Sequence, residues 1–417
     1  MTMDNQTYTS PTGAQTYLVG GAVRDDLLGL KVVERDWVVV GSTPAEMLDI
    51  GFKQVGASFP VFLHPENGEE YALARTERKQ GHGYHGFNVD FHAGVTLEED
   101  LERRDLTINA IAQDQHGKLV DPFGGLKDLE NKLLRHVSDA FVEDPLRVLR
   151  VARFAARFAP LGFCIHDSTM DMMKQITSSG ELQHLAAERI WREIERALMM
   201  QQPSEFITVL RQCGALEELL PEVNALFGVP QTAKYHPEID TGVHLLMALD
   251  QAAYTRSASV IFAVLLHDLG KALTAKTDLP SHVGHETAGV PLVDAVCERF
   301  RVPGKTHDLA RKVCASHLDC HRILEARPKT VMRLLERLDV FRNPGLLPDF
   351  ILACEADYRG RKGLEERPYP QGEYLQHAYE AAAAVLARDL NLEGISGQQV
   401  GEKLRETRIQ AIAGLSR

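Results

Sequence analysis

The stretch from Tyr17 to Val40, YLVGGAVRDDLLGLKVVERDWVVV, constrains this chain more than any other. Its apolar start, Tyr17, Leu18 and Val19, predicts a strand that runs into Gly20-Gly21 and then a short helix opened by Ala22-Val23-Arg24-Asp25. A second strand is expected to carry Glu34 and Asp36, and the apolar run Trp37 to Val40 marks it as buried. Strand residues two apart share a face, so the two carboxylates are expected to project together. Paired carboxylates suit a hard cation such as magnesium. Gly21 and its neighbour let backbone N–H groups approach a polyphosphate at a helix N-terminus, and Arg24 adds a charged fork for the same oxygens. Each half has a plainer reading: a tight turn for Gly-Gly, a solvated edge for the alternating acids. Their occurrence in one strand-turn-helix-strand unit favours acids at the mouth of a sheet.

The chain has 417 residues, too many for one core and enough for roughly two to four domains. Residues 1–16 are polar and without periodicity, which reads as a disordered leader. Residues 17–137 mix strands and helices. Ser42 or Thr43 is placed to cap a short helix with Pro44 in its first turn. Strands are expected at Val61 to His64 and Glu70 to Ala74, and Glu70 is a candidate third carboxylate beside Glu34 and Asp36, or else a solvated side chain. Arg75 to Phe91 has the composition of a mobile loop, and His82 and His85 within it make a poor metal pair. Leu97, Leu101 and Leu106 fit a helix whose polar side offers Arg103, Arg104 and Asp105, and Asp121-Pro122-Phe123-Gly124-Gly125 is a turn.

From residue 138 the pattern is helical. In EDPLRVLRVARFAARF, which begins at Glu143, Arg150, Arg153 and Arg157 fall within about 60° of one another on a helical wheel, with Arg147 beside them. Val148, Val151, Ala152, Ala155 and Phe158 take the other side. Residues 131–160 hold six Lys/Arg against three acids, in a chain whose net charge is −12. That balance excludes a generally basic nucleic-acid coat, so any such contact comes from a local patch. The stripe reads as a solvated ion-pair face, or as a nucleotide cradle if a metal-triphosphate site lies next to it.

A second constellation follows His236-Pro237. His244 lies on a helical segment, an apolar run ends in His267-Asp268, His282 and His285 follow, His317 lies on a later helix, and Asp357 comes in CEADYRG. An apolar helix ending in His-Asp is costly to bury unless a metal or another charge answers it. One His per helix with a distant Asp is a way to converge on a divalent ion. Cys314, His317, Cys320 and His321 offer a zinc alternative, though a helix would spread them around its circumference. The six cysteines are scattered without a C-x-x-C pair, and no apolar run approaches the roughly 20 residues of a membrane span. No signal peptide pattern opens the chain. These features suit a cytoplasmic protein with no membrane partner.

GGAVRD with its downstream acids, ERRDLTINA, DPFGG and EDPLRVLRVARF, in that order, resemble the motifs of bacterial CCA-adding tRNA nucleotidyltransferases that carry an appended HD phosphohydrolase domain. The resemblance implies an α+β chain: a polymerase-β-like nucleotidyltransferase head (17–137), then an all-helical neck and body that select the base and bind tRNA (138–235), an HD phosphohydrolase domain (236–360) and a helical tail (361–417). It implies template-independent addition and repair of the 3′-terminal CCA of tRNA from CTP and ATP. Glu34 and Asp36 would hold magnesium, Gly21 and Arg24 the triphosphate, and Arg104, Arg150 and Arg153 would complete the nucleotide pocket. Asp144 and Arg147 would read the base edge. The usual Asp-x-Asp is here Glu34-Arg35-Asp36, one methylene longer at the first ligand.

In the HD part, His244, His267, Asp268 and Asp357 match the metal ligands, while His285 and His317 match positions that are ligands in two-metal members. The ion would be a divalent transition metal, with nickel the candidate, and the activities 2′,3′-cyclic phosphodiesterase, 2′-nucleotidase and phosphatase. A homodimer is the candidate assembly. The alternatives are a poly(A) polymerase of the same superfamily and a catalytically dead RNA- or nucleotide-binding protein.

Overall fold

The computed structural model describes residues 13–55, 61–79, 87–90, 92–390 and 396–416. His82 and His85, and most of the segment read as a leader, lie outside them. The chain divides into two compact units, residues 1–189 with 212–218, and residues 190–211 with 219–417. The segment 138–235, read above as one neck and body, is thus shared between them.

In the first unit β1 (Gln15–Val19) starts two residues inside the stretch read as leader and leads through Gly20 into α1 (Gly21–Leu27). Then come β2 (Asp36–Val40), α2 (Pro44–Asp49), β3 (Lys53–Val55), β4 (Val61–Leu63) and β5 (Glu70–Leu73). Thr43, rather than Ser42, caps α2, accepting from the Glu46 N–H while Glu46 reaches back to the Thr43 N–H. β6 (Thr76–Lys79) and β7 (Phe87–Asp90) pair antiparallel, so the stretch read as a loop carries a hairpin's two arms. Gly81, Gly83 and Gly86, which fall between the two strands in sequence, outweighed the short strands in composition.

α3 (Leu97–Glu102) is shorter than expected, and Leu106 lies beyond it in extended backbone, fully buried all the same. β8 (Ala112–Gln113), β9 (Leu119–Val120), α4 (Gly125–Glu130), β10 (Leu133–Leu134), α5 (Leu146–Phe158), β11 (Cys164–Ile165) and α6 (Asp167–Ser178) complete the unit. Seven strands form one sheet in the order β3-β4-β5-β2-β1-β8-β9, in which only the β2–β5 pair is parallel. Val38 faces a core with Val19, Leu101 and Ala110, and Val39 faces one with Met47, Phe62 and Tyr71, so β2 is covered on both sides. This two-sided burial explains the unbroken apolar run after Asp36.

From residue 187 the chain is helical: α7 (Ala187–Leu198), α8 (Pro203–Gln212), α9 (Ala215–Leu219), α10 (Pro221–Asn224), α11 (Thr241–Ala252) and α12 (Ala258–Leu266). There follow α13 (His285–Phe300), α14 (Gly304–His321), α15 (Pro328–Arg337), α16 (Leu346–Arg359), α17 (Pro370–Ala383) and α18 (Gly397–Ala413). α12 is the centre of the second unit, packed by α11, α14 and α16, with Val260 to Leu266 all sealed from solvent. α17 and α18 pack within the same unit, α17 on α16 and α18 on α15.

Between α12 and α13 two main-chain segments pass so closely that a glycine is needed. A Cβ on Gly270 would stand 2.0 Å from the His285 carbonyl oxygen and 2.7 Å from the Gly289 nitrogen, both of them main-chain atoms that cannot rotate away. Gly270→Ala is therefore expected to destabilise the protein by about 1–3 kcal/mol. Chemical denaturation checks this, and an unchanged midpoint would refute the close packing.

Candidate functional site

Two clusters of polar side chains stand out, one in each unit. In the first, Asp36 opens β2 with its Cα in register with Val19 of β1 on one side and Glu70 of β5 on the other. Residues in register on neighbouring strands share a face of the sheet, so Asp36 and Glu70 leave the backbone on the same side. Glu34 is not on the strand: residues 31–35 are irregular, and β2 starts at Asp36. The alternation that places Glu34 and Asp36 on one face of a strand therefore does not apply. Glu34 still lies close enough for its charge to act on Asp36. Partial enclosure lifts the Asp36 carboxyl above its ordinary value, against the pull of Arg104 and with the help of Glu34.

Gly20 ends β1 at φ +68°, a left-handed conformation that favours glycine, and a Cβ there would lie 2.8 Å from Arg104 Nη1. Of the two glycines, the conformational requirement falls on Gly20, while Gly21 begins α1. Arg104 is held by Asp100, whose other oxygen takes Arg103. Burial alone would raise the Asp100 carboxyl, yet Arg103 and Arg104 together hold it below the usual range.

Arg24 is placed differently from the sequence reading. It is 3% exposed, gives Nε and Nη2 to Asp25 and Nη1 to Asn109, and lies over the rings of Phe154 and Phe158. Asn109 in turn donates to Asp105 at 2.8 Å, and Asp105 receives Arg150 at 2.7 Å. Arg157 closes the other end on Asp25 at 2.7 Å. Arg147 donates to the carbonyls of Ala140 and Arg103, and Arg153 lies over Phe154. The arginine stripe of α5 therefore turns inward onto the segments that carry Arg24 and Arg104, and is not a solvated face. Asp144 accepts from the Leu146 N–H and from Arg189.

Asp105, Asn109 and Phe154 were not singled out from the sequence as parts of this network. Phe154 was findable: it follows Arg153 and lies four residues after Arg150, an aromatic on the arginine side.

The second cluster is built by one residue from each of several helices. His244 comes from α11, His267 and Asp268 from the end of α12, His285 from the start of α13, His317 and His321 from α14 and Asp357 from α16. His244, His267, Asp268, His285, His317 and Asp357 are each 5% exposed or less. His244 Nε2 is 3.1 Å from Asp357 Oδ1, and His267 Nε2 is 3.1 Å from Asp268 Oδ2 and 3.6 Å from Asp357 Oδ1. The donor atoms of His244, His267 and Asp268 lie within 4.8 Å of one another, as do those of Asp268, His285 and His317.

Each ring presents Nε2 inward because Nδ1 faces a main-chain carbonyl: Gly360 for His244 (3.0 Å), Val264 for His267 (2.7 Å), His282 for His285 (2.7 Å). A carbonyl only accepts, so Nδ1 carries the hydrogen and Nε2 the lone pair in the neutral ring. His267 Nε2 and both Asp268 oxygens are buried without a well-formed hydrogen bond, as expected of groups that serve a cation. The cluster draws positive charge to its centre. Burial disfavours a charged His267, but Asp268 and Asp357 hold the imidazolium up to about 10, and Lys271 lies 2.7 Å from Asp268 Oδ2.

Two supports escaped the sequence reading. His321 donates to Asp357 Oδ2 at 2.7 Å, and Glu238, its side chain almost sealed, lies 3.2 Å from His244 Nδ1. Next to Glu238, Ile239 has φ +64°, a strained backbone for a β-branched residue, and its carbonyl is bonded by the Gln231 N–H at 2.7 Å. The zinc alternative fails: Cys314 faces the Glu286 carbonyl, Cys320 meets Tyr369, and His317 and His321 turn to different carboxylates. His282 is used structurally, between Thr274 and the Pro230 carbonyl.

Comparison with known proteins matches both units. A model of the poly(A) polymerase head domain fits residues 16–135, one for a probable RNA and SrmB-binding site of polymerase A fits 162–227, and the HD domain fits 241–343. The multifunctional CCA protein of Thioalkalivibrio sulfidiphilus is 59% identical over 402 residues, covering 96% of this chain and 98% of its own. Its Pseudomonas aeruginosa counterpart is 59% identical over 399 residues, covering 95% and 97%. Among solved structures, a CCA-adding enzyme in apo form II aligns with TM-score 0.69 at 22% identity, over 97% of this chain and 89% of that one. The Bacillus stearothermophilus CCA-adding enzyme in complex with CTP aligns with TM-score 0.67 at 24% identity, over 97% and 90%. At those identities the structural likeness speaks to the fold alone.

Two outcomes are expected from this geometry. Burial would raise the Asp105 carboxyl, but Arg150 and Asn109 hold it well below the usual range. A depressed carboxylate stabilises the fold above its unfolded value of about 3.9 and loses that contribution as pH falls through the folded value. Asp105→Asn should cost about 1.5–3 kcal/mol at neutral pH, a gap that narrows only below about pH 4 in denaturation series. Glu238→Ala should weaken divalent-cation affinity of the second unit about 10–100-fold by calorimetry, with Glu238→Gln close to wild type because its amide oxygen still accepts from Nδ1.

Proposed function

This chain belongs to the family of multifunctional CCA proteins, and on that footing we propose that it adds and repairs the 3′-terminal CCA of tRNA, drawing on CTP and ATP without a nucleic-acid template. The observation that carries the reading is the position of Asp36, in register with Glu70 and close to Arg104 and the Gly20 turn, in the same unit as the arginine helix α5. Asp36, Glu34 and Glu70 offer only oxygen, which fits a hard cation. Magnesium held by Asp36 and Glu34 would neutralise phosphoryl charge and lower the pKa of the attacking 3′-hydroxyl.

The remaining roles fall to the chain itself. The Gly20-Gly21 turn leaves room for phosphate oxygens beside Arg104, whose fork is aimed by Asp100. Arg24, buried on Asp25 and Asn109, acts by fixing the Asn109–Asp105–Arg150 relay, so that Arg150 and Arg153 border the nucleotide from α5. Asp144 accepts from the exocyclic amine that cytosine and adenine share, and Arg147 donates to the adjacent acceptor. Uracil and guanine present a carbonyl there, which leaves the carboxylate unpaired at a cost of about 1–3 kcal/mol or more. The positions of Arg189 on Asp144 and of two carbonyls on Arg147 support a preformed reading pair at the start of α5.

The second unit supplies the accessory chemistry, hydrolysis of small phosphate esters: 2′,3′-cyclic phosphodiesters, 2′-nucleotides and phosphomonoesters. His244, His267, Asp268 and Asp357 would hold a divalent transition metal there, nickel being the candidate. Imidazole-rich, buried and converging donors fit that ion class better than magnesium. Six free cysteines, five of them buried, suit the reducing cytoplasm where tRNA is found. Among the described residues no helix is long and apolar enough to cross a membrane.

The test supplies purified protein with magnesium, one labelled nucleotide at a time and tRNA trimmed of its 3′ end. Incorporation of C and then A, with none of U or G, is expected, and Asp36→Ala should lower it by roughly 100-fold or more. Unchanged labelling in Asp36→Ala would sink the reading. A long A tail on many RNAs would give the place to the poly(A) polymerase that the head-domain match also names.

A further inference from the structure

Two arginines at the end of α16 stand in different circumstances. Arg359 is engaged: its Nη2 meets Glu355 Oε1 at 2.8 Å and its Nε donates to the Arg367 carbonyl at 3.2 Å. Arg361, two residues on, has an Nε that is buried without a hydrogen-bond partner among the described residues, and its ion pair with Asp357 Oδ1 is a loose 3.6 Å. Its guanidinium lies over Tyr358, 5.4 Å from the ring centre. A buried donor left without an acceptor calls for one from outside the chain.

The backbone fixes where Arg361 begins. Gly360 packs against α11, where a Cβ would come within 2.4 Å of the Ala248 α-carbon, and its carbonyl faces His244 Nδ1 at 3.0 Å. On the other side the Lys362 N–H reaches Glu238 Oε2 at 3.4 Å. The residue between them is thereby held beside the histidine–aspartate cluster, its side chain 12% exposed. Burial disfavours a proton on His236 and on His321, and the charge of Arg361 acts on both in the same sense, so the guanidinium lies near these rings as well. Asp357 Oδ1 is also the oxygen that faces inward, 3.1 Å from His244 Nε2 and 3.6 Å from His267 Nε2. With a divalent cation on that oxygen, two positive groups share it, and an anion that touches both relieves their repulsion. The planar fork of a guanidinium matches two oxygens of a phosphate.

We propose that Arg361 is a phosphate-binding residue of the second unit, giving its fork to the non-bridging oxygens of the ester that is hydrolysed there. The proposal rests on the reading of this unit as a phosphate-ester hydrolase with His244, His267, Asp268 and Asp357 around a divalent cation. A fork takes two oxygens and the cation a third. Phosphomonoesters, with three non-bridging oxygens, therefore engage Arg361 fully, and cyclic diesters, with two, engage it in part. The rival arrangement makes Arg361 a counter-ion to Asp357 and nothing more, in which case its removal leaves phosphate binding untouched.

The experiment uses the full chain carrying Asp36→Ala, so that the strand acids of the first unit compete less for the cation, and loads it with Ni2+. Line broadening in phosphorus NMR gives the affinity of inorganic phosphate at the bound ion, and steady-state hydrolysis of 2′-AMP and 2′,3′-cyclic AMP gives KM and kcat. Arg361→Ala and, separately, Arg361→Gln should weaken inorganic phosphate and raise KM for 2′-AMP by about 10–100-fold, with a smaller rise of about 3–10-fold for the cyclic diester. Bound Ni2+, measured by equilibrium dialysis, should be unchanged. Arg367→Ala removes the same charge from an exposed side chain over the same Tyr358 ring, and should alter phosphate affinity by less than about twofold. Unchanged phosphate affinity and KM in the Arg361 variants overturn the proposal and leave the hydrolase reading standing. An equal loss in Arg367→Ala does the same, since it marks a diffuse effect of charge. A parent that neither hydrolyses these esters nor broadens the phosphate line overturns the hydrolase reading too. Circular dichroism identifies a variant that has lost its fold, and the other Arg361 variant then decides.

Discussion

Asp105 divides its two oxygens between Arg150 on α5 and the Leu106 N–H with Asn109, and through Asn109 it reaches Arg24 on α1. The first unit depends on this contact, because it joins three sequence segments that are remote from each other. A guanidinium as enclosed as that of Arg24 needs a carboxylate close by, and Asp25 supplies it while Asn109 ties the pair to the next segment. Breaking one link would leave a buried charge without its partner, which is costlier than never having buried it. The segments that carry Arg24, Arg104 and the arginine helix are thereby tied together within one unit.

The second unit solves the same problem by other means. Its imidazoles are oriented by main-chain carbonyls, two of them in helices α12 and α14 and two in the segments next to α16 and α13, so the tautomers are set before any ligand arrives. The carboxylates are then steadied by His321 and Lys271. α12 ends in His-Asp after a run, Val260 to Leu266, that is sealed throughout, so the costly polar groups are gathered at its terminus, where the carboxylates and imidazoles of the neighbouring helices answer them.

Much of this was legible in the chain itself. The run Trp37 to Val40 gave a strand buried on both faces, and the pairing of Glu70 with Asp36 followed from the position of Glu70 at the start of the next strand but two. The arginine spacing on α5 was right, but its meaning was half hidden: a helical wheel orders residues around an axis and says nothing about what packs on each side. Glu34 was misplaced because period-two alternation does not reveal where a strand begins, and Val33 and Glu34 remain outside the ladder. Asp105 was read only as part of a polar helix side and Asn109 was missed, since their partners Arg150 and Arg24 lie 45 and 85 residues away, a relation that one sequence does not encode, while Glu238 was missed although His244 follows six residues on. The antiparallel pair β6 and β7 was hidden by the glycine-rich composition of the sequence between the two strands.

The missing side chain at residue 270 has a further consequence. With the His285 carbonyl pressed against that α-carbon, main chain packs on main chain, and this sets where the Asp268 and His285 side chains leave the backbone. A residue with any side chain there would have to push the two segments apart, so the spacing between the turn after α12 and the start of α13 has little give.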